Sequence, residues 1–443
     1  MKIHFFPTTI DLIVLIGILG YHAPKKNASI VLQKLYEYLF SSSLANTKIA
    51  VKYIYFCIMR FLTADWVFPL YKEPIKNGVL CVSDDGRILD ITEKDKVSTD
   101  VEFFKGILFP GFVNSHCHLE LSHLKSFIPK NSGFISFVEK IKQRNNFSQD
   151  TIQQSIIDAE KQMKKNGIVA VGDICNTSDT ILQKQKHILK YYNFIEVFQI
   201  QEEYEDKEIQ KALQLKNKFA QAKLKTTLTP HARYSVTPGL MKKIMNCFNS
   251  FDISLSIHNQ ETKEENSLFN THSGKMFDWL CSMQATHHIW GKKNRNTILS
   301  ILKNLKYEKN LLLVHNTFTS NHEISLIKKL HKNTYWCTCP KSNLFIEGKL
   351  PNYNFFRNQN LCIGTDSLAS NNSLSILDEI KIIASNSNLD LQQLLVASCY
   401  NGAKALGFCD LGSFEKNKKP GINLMKNLNG LILNKETEVE VIL

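Results

Sequence analysis

Between residues 106 and 375 the chain alternates short apolar runs with longer amphipathic ones, and few folds accept that pattern. The runs are "ILFPGFVNS", "GIVAVGDIC", "FIEVFQIQ", "TTLTPHA", "ISLSIHN", "LLLVHN", "TYWCTCP" and "LCIGTD". Each has the length of a strand buried on both faces. The intervening segments, such as "DTIQQSIIDAEKQMKKNG", carry apolar residues at helical spacing and end on glycine. Eight strands in alternation with helices predict an α/β fold, a (β/α)8 TIM-type barrel.

Flanking segments extend this plan. Residues 59–105 alternate like strands joined by turns, and residues 376–443 read as helices followed by the strand-like tail "NGLILNKETEVEVIL". The two ends are expected to form one small β-sandwich domain around the barrel at 106–375. Residues 1–58 read as an extension outside the core fold. Their apolar run "TTIDLIVLIGILG" contains Asp11 and is shorter than the roughly 20 residues a membrane helix needs, so no stable membrane partner is expected.

Of the 443 residues 43% are hydrophobic, enough for a large core. The net charge of +13 is not arranged as basic runs interleaved with aromatics, which argues against nucleic acid as a partner. The 11 cysteines are scattered and include no C-x-x-C pair, which fits reduced thiols and a cytoplasmic setting.

Polar residues fall where such a barrel builds its active site, at the C-terminal strand ends. His116 and His118 close the first strand; His231, His258, His315 and Asp366 close the fourth, fifth, sixth and eighth. At i, i+2 on a strand, His116 and His118 point the same way and can grip one ion. The alternative for that pair is a polar strand end without function. His258 and Asp366 are the natural remaining ligands, giving three nitrogens and one carboxylate oxygen around a single divalent metal ion, zinc or else iron. Asp366 also suits a helix N-cap. Glu261, three residues past His258, suits proton transfer. His315 suits orienting a hydroxide and His231 contacting substrate, with a purely structural role the alternative for either. Cys117 points away and packs. His272, His287, His288, His322 and His331 lie off the strand ends and read as surface or helix residues.

The segments "PGFVNSHCHLELSHL", "TPHARYSV", "IHNQETKEEN", "VHNT", "CPKSNLFI" and "GTDSLASNNSLSILDEI" resemble the amidohydrolase superfamily, in its chlorohydrolase and deaminase branch. That branch includes triazine hydrolases and adenosylhomocysteine and aminodeoxyfutalosine deaminases. The resemblance spans about residues 59–443. It implies a metal-dependent barrel with His116, His118, His258 and Asp366 as ligands. It also implies Glu261 as proton shuttle, His315 as the residue positioning the hydroxide, Asp366 as proton acceptor, and His231 as a substrate contact. Asn343 matches a family loop and is taken with the substrate-binding residues. The family's usual C-terminal Gly-Lys-x-Ala-Asp-Leu is replaced by "NKKPGINLM", a departure in the β domain.

The implied reaction is hydrolytic deamination of an aminated N-heterocycle or nucleoside-like small molecule, with an aminodeoxyfutalosine-like compound as one candidate. Dechlorination and cyclic amide or amidine hydrolysis use the same centre and stay open, as does an inactive binding protein on the same fold. A homodimer also stays open. Glu120 and His123 extend the first motif to the pocket rim, where Glu120 either accepts from a ribose hydroxyl or serves only as a rim residue. His118-Leu119-Glu120 fits the H-x-E of nucleobase zinc deaminases, but no P-C-x-x-C follows, so that fold is rejected. Met59 looks like a natural start, and N-terminal sequencing of the native protein tests this. A first residue near Met59 is expected; an intact Met1 on active enzyme removes the idea.

Overall fold

The computed structural model describes residues 59–97, 100–249, 252–285 and 309–443. The expected extension at 1–58, and His287 and His288, lie outside the described residues. Eight parallel strands form two four-stranded sheets. One runs β6 (Phe112–Cys117), β7 (Ile168–Cys175), β8 (Lys190–Val197) and β9 (Thr226–Pro230). The other runs β10 (Ser254–Asn259), β11 (Asn310–His315), β12 (Thr334–Thr338) and β13 (Leu361–Ile363). Isolated parallel bridges join their edges, Ala232 to His258 on one side and Cys117 to Asp366 on the other. Thr365 and Asp366 both donate their backbone N–H to the carbonyl of His116, at 3.0 and 3.1 Å.

The strands form because their residues are apolar on both faces. One face of the first sheet (Val113, Ala170, Ile174, Tyr192, Phe194) packs on Ala403, Leu406, Phe408 and Leu411. In the second sheet, Leu312, Val314, Cys337, Cys339 and Cys362 pack with Ala405. Asn310, which opens β11, donates to the carbonyls of Lys404 and Ala405. The 403–411 segment therefore sits at the strand starts, opposite the histidine-bearing ends.

Strands from both chain ends share one further sheet of seven strands. Its order is β15 (Glu438–Val441), β14 (Ile422–Lys426), β5 (Glu102–Pro110), β1 (Met59–Val67), β3 (Gly78–Ser83) and β4 (Ile88–Glu93), with β2 (Ile75–Lys76) paired to β1. Among the described residues this is one hydrogen-bonded sheet, where a two-sheet sandwich was expected. The predicted run "ILFPGFVNS" is divided at Gly111, so the β-rich segment continues to Pro110 instead of ending at 105. The reason is close packing: a Cβ at Gly111 would lie 2.3 Å from Val169 Cγ1 and 2.8 Å from the Pro420 carbonyl. Among the described residues no helix is long and apolar enough to cross a membrane.

Gly364 fixes how closely β13 approaches β6. A Cβ there would lie 2.8 Å from both Cβ and O of His116 and 2.9 Å from its N. Gly364→Ala is expected to cost about 1–3 kcal/mol of stability by displacing the first strand end. The check is a lowered urea midpoint at unchanged slope.

Candidate active site

The strand ends bring the predicted histidines together. His116 is fully buried, and its Nε2 faces His118 Nε2 at 3.2 Å. Asp366 Oδ1 lies 3.4 Å from His118 Nε2 and 3.7 Å from His116 Nε2. A register shift between Asn114 and Cys117 in β6 accompanies this arrangement. Cys117 packs into the main apolar cluster. The His258 ring centroid lies 4.9 Å from that of His116 and 5.6 Å from that of His118. Its Nδ1 sits 3.0 Å from the His231 carbonyl, which fixes the ring and leaves Nε2 for another partner.

Two of these residues reach the mouth through left-handed backbone. His315 has φ of 73° and Asp366 φ of 57°, conformations that cost energy for a side chain with a Cβ and recur at functional sites. Each is then locked. Asn343 Oδ1 lies 2.9 Å from His315 Nδ1, and Ser342 and Ser370 hydroxyls donate to Asp366 Oδ2 at 2.6 and 2.7 Å.

The protonation states suit a cation. Burial, with neighbouring imidazoles, pushes His116 and His258 well below the usual histidine range, which keeps them neutral with a lone pair to give. Burial works to raise Asp366, but His118, His315 and His116 together with Ser342 outweigh it, so its carboxyl is held well below the usual range. Among the described residues three sets of ligand atoms fall within 4.8 Å of one another, His116–His118–Asp366, His116–His258–His315 and Glu196–His231–His258. Imidazole nitrogens plus one carboxylate form a donor set that fits a borderline divalent ion.

Glu261 is buried, with Oε1 3.5 Å from His315 Nε2. Burial first, and the Asp366 charge second, push its carboxyl well above the usual range, which favours its protonated form. Its backbone N–H donates to Glu265, whose own carboxyl burial raises to about 8. His231 stacks near His258 with its Nδ1 2.7 Å from Ser235 Oγ.

Other predicted residues have different surroundings from those expected. Glu120 lies buried beneath the rim, and its oxygens are engaged by Arg144, the backbone N–H groups of Asn176 and Thr177, and the Thr177 hydroxyl. His123 contacts the Arg144 carbonyl. Asn343 acts on His315. His331, expected on a surface or helix, is buried at a helix end with Nδ1 3.2 Å from Thr334 Oγ1.

Several residues escaped the sequence reading. Glu196, the penultimate residue of β8, reaches the His231–His258 pair. Asp173 accepts from the backbone N–H of Leu119, the residue after His118, at 2.8 Å. The fully buried Lys184 donates to Asp173, to Asn193 Oδ1 at 2.6 Å and to Cys175 Sγ at 3.3 Å. Burial alone would discharge Lys184, but Asp173, helped by Cys175, holds it protonated.

With this geometry in view, the amidohydrolase family model matches residues 107–440. The chain belongs to the amidohydrolase family. The amidohydrolase is 27% identical over 335 residues to adenosine deaminase of Helicobacter pylori, covering 73% of this chain and 80% of that protein. It is 23% identical over 376 residues to 5'-deoxyadenosine deaminase of Methanosphaera stadtmanae, covering 81% and 79%. Among solved structures it matches Helicobacter pylori aminofutalosine deaminase in complex with methylthio-coformycin, with a TM-score of 0.70 at 24% identity over 85% of this chain and 94% of that one. At that identity the likeness concerns the fold.

Removing one partner of a buried ion pair strands the other charge. Lys184→Met is therefore expected to lose about 3–5 kcal/mol, and adding Asp173→Leu to recover much of it. Equilibrium urea unfolding of both variants checks this.

Proposed function

We propose that this amidohydrolase removes the exocyclic amino group of an adenine-type base by hydrolysis, acting on a nucleoside of the adenosine class. The observation that carries the reading is Glu261, a buried carboxyl 3.5 Å from His315 Nε2, beside a cluster of metal-competent side chains. Displacing an amine from an aromatic ring needs a proton on a ring nitrogen, and a carboxyl whose pKa burial raises suits that transfer. The names of the curated relatives point to the same chemistry.

On this reading the two parallel sheets close a (β/α)8 barrel through their edge bridges, and His116, His118, His258 and Asp366 hold one divalent ion, with zinc as the fitting choice. Such an ion, when bound, lowers the pKa of water enough for attack near neutral pH. Asp366, held ionised, takes the proton of the attacking water through Oδ1. Ser342 and Ser370 keep its other oxygen fixed. His315, oriented by Asn343, hydrogen-bonds the oxygen arriving at the ring carbon. Glu261 delivers its proton to the ring nitrogen, which makes that carbon electrophilic. The leaving amine takes the proton that Asp366 accepted and departs as ammonia, and the hydroxyl proton released as the ring carbonyl forms returns to Glu261.

The test is Glu261→Gln in the full chain loaded with zinc. Metal content by elemental analysis is expected to match wild type, while ammonia release from adenosine falls by at least about 100-fold, the usual contribution of a positioned general acid. Near-normal turnover in this variant removes Glu261 from the mechanism.

A further inference from the structure

We propose that Glu196 is the specificity residue of this site, accepting hydrogen bonds from the vicinal hydroxyls of the substrate's pentose. The inference rests on the nucleoside reading above. Glu196 stands near the end of β8, one strand away from His231 and two from His258. Its side chain is only 4% exposed. Its Oε2 accepts from Asn176 Nδ2 at 3.3 Å. Among the described residues its Oε1 has no hydrogen-bond partner. The His258 Nδ1 nearby, at 3.5 Å, already has the His231 carbonyl at 3.0 Å.

A carboxylate can only accept, and a buried acceptor left open is rare unless a donor arrives from outside the chain. The carboxylate lies on the Nδ1 side of His258. Glu261 and Asp366 lie with the cluster of His116, His118 and His315. The base would occupy that reacting side, leaving the sugar hydroxyls as donors for Glu196. Adenosine and 5'-deoxyadenosine, the compounds in the relatives' names, share the 2',3'-diol and differ at the 5' carbon. A group that reads the sugar of both therefore finds its hydroxyl donors in the diol. Glu120 is unsuited to that task, because both of its oxygens are bound within the protein. Asn176 ties the two acids together: its backbone N–H holds Glu120 while its side chain aims Glu196.

The experiment compares adenosine with 2',3'-dideoxyadenosine on the zinc-loaded full chain, as wild type, Glu196→Ala and Glu196→Gln. Wild type is expected to prefer adenosine by about 100-fold or more in kcat/KM, since a site built to bind a hydroxyl rejects the analogue lacking it. In Glu196→Ala the two substrates are expected to converge to within about tenfold, mostly through a raised KM for adenosine. Glu196→Gln, which keeps one acceptor, is expected to fall between. Bound zinc should stay equimolar in all three. A preference unchanged in both variants overturns the proposal. So does an equal kcat loss on both substrates together with lost zinc, which would make Glu196 a buttress of His258. Wild type that deaminates neither compound overturns the nucleoside reading, and this inference with it.

Discussion

Everything near the mouth of this fold answers one electrostatic problem: imidazole nitrogens and a carboxylate are gathered at a point from which water is excluded. Two ring nitrogens 3.2 Å apart can share at most one proton between them, and burial makes it costly to charge His116. A cation resolves the conflict, because neutral imidazoles and an ionised carboxylate are the forms that bind it. The supporting contacts follow from this. Ser342 and Ser370 hold Asp366, Asn343 holds His315, and the His231 carbonyl holds His258. Such outer contacts aim the side chains they hold.

The cost of that gathering is spread over the backbone. His315, Asn316 and Asp366 all have positive φ, at the ends of β11 and just after β13. Strain of this kind persists only where surroundings over-determine it. Asn316 supplies part of that restraint, donating its side-chain amide to the carbonyls of Leu313 and Cys337. Behind the first strand end, Lys184 and Asp173 form a second rigid element. A buried ion pair is weak evidence for stability. Its value here is geometric: Asp173 holds the backbone immediately after His118, and Lys184 gathers residues of β7 and β8 around that anchor.

Much of this was legible in the sequence, for physical reasons. Strands buried on both faces must be apolar runs, so all eight were found, and a polar residue ending such a run stands out. Two edges were misread. The run ending in Pro110 continued without a polar break into Phe112, so only the close packing around Gly111 reveals that β5 and β6 belong to different sheets. Strand β8 begins at Lys190, four residues before the predicted "FIEVFQIQ", because Asn193 interrupts the apolar pattern. Its reason is tertiary: its side chain accepts from buried Lys184. Glu120 looked like a rim acceptor because nothing in one dimension shows Arg144 and the 176–177 backbone closing over it. Glu196 was hidden by a similar blindness, though a lone acid inside "FIEVF" was the signal that could have found it.

The separation between Glu196 and the histidine cluster has a consequence for how such a site can change. Strand ends that hold the reacting centre are coupled through the bridges at Cys117–Asp366 and Ala232–His258, and a shift in one moves the others. Glu196 meets that network at His231 and at the Nδ1 edge of His258, and takes its orientation from Asn176, on the loop after β7. On the proposed reading an exchange at Glu196 leaves His315 and Asp366 in place, since each of these depends on its own strained backbone and named side-chain locks. On this reading, one architecture keeps its hydrolytic chemistry fixed on the coupled strand ends and lets the group beyond the reacting ring be read by the more loosely tied wall of β8.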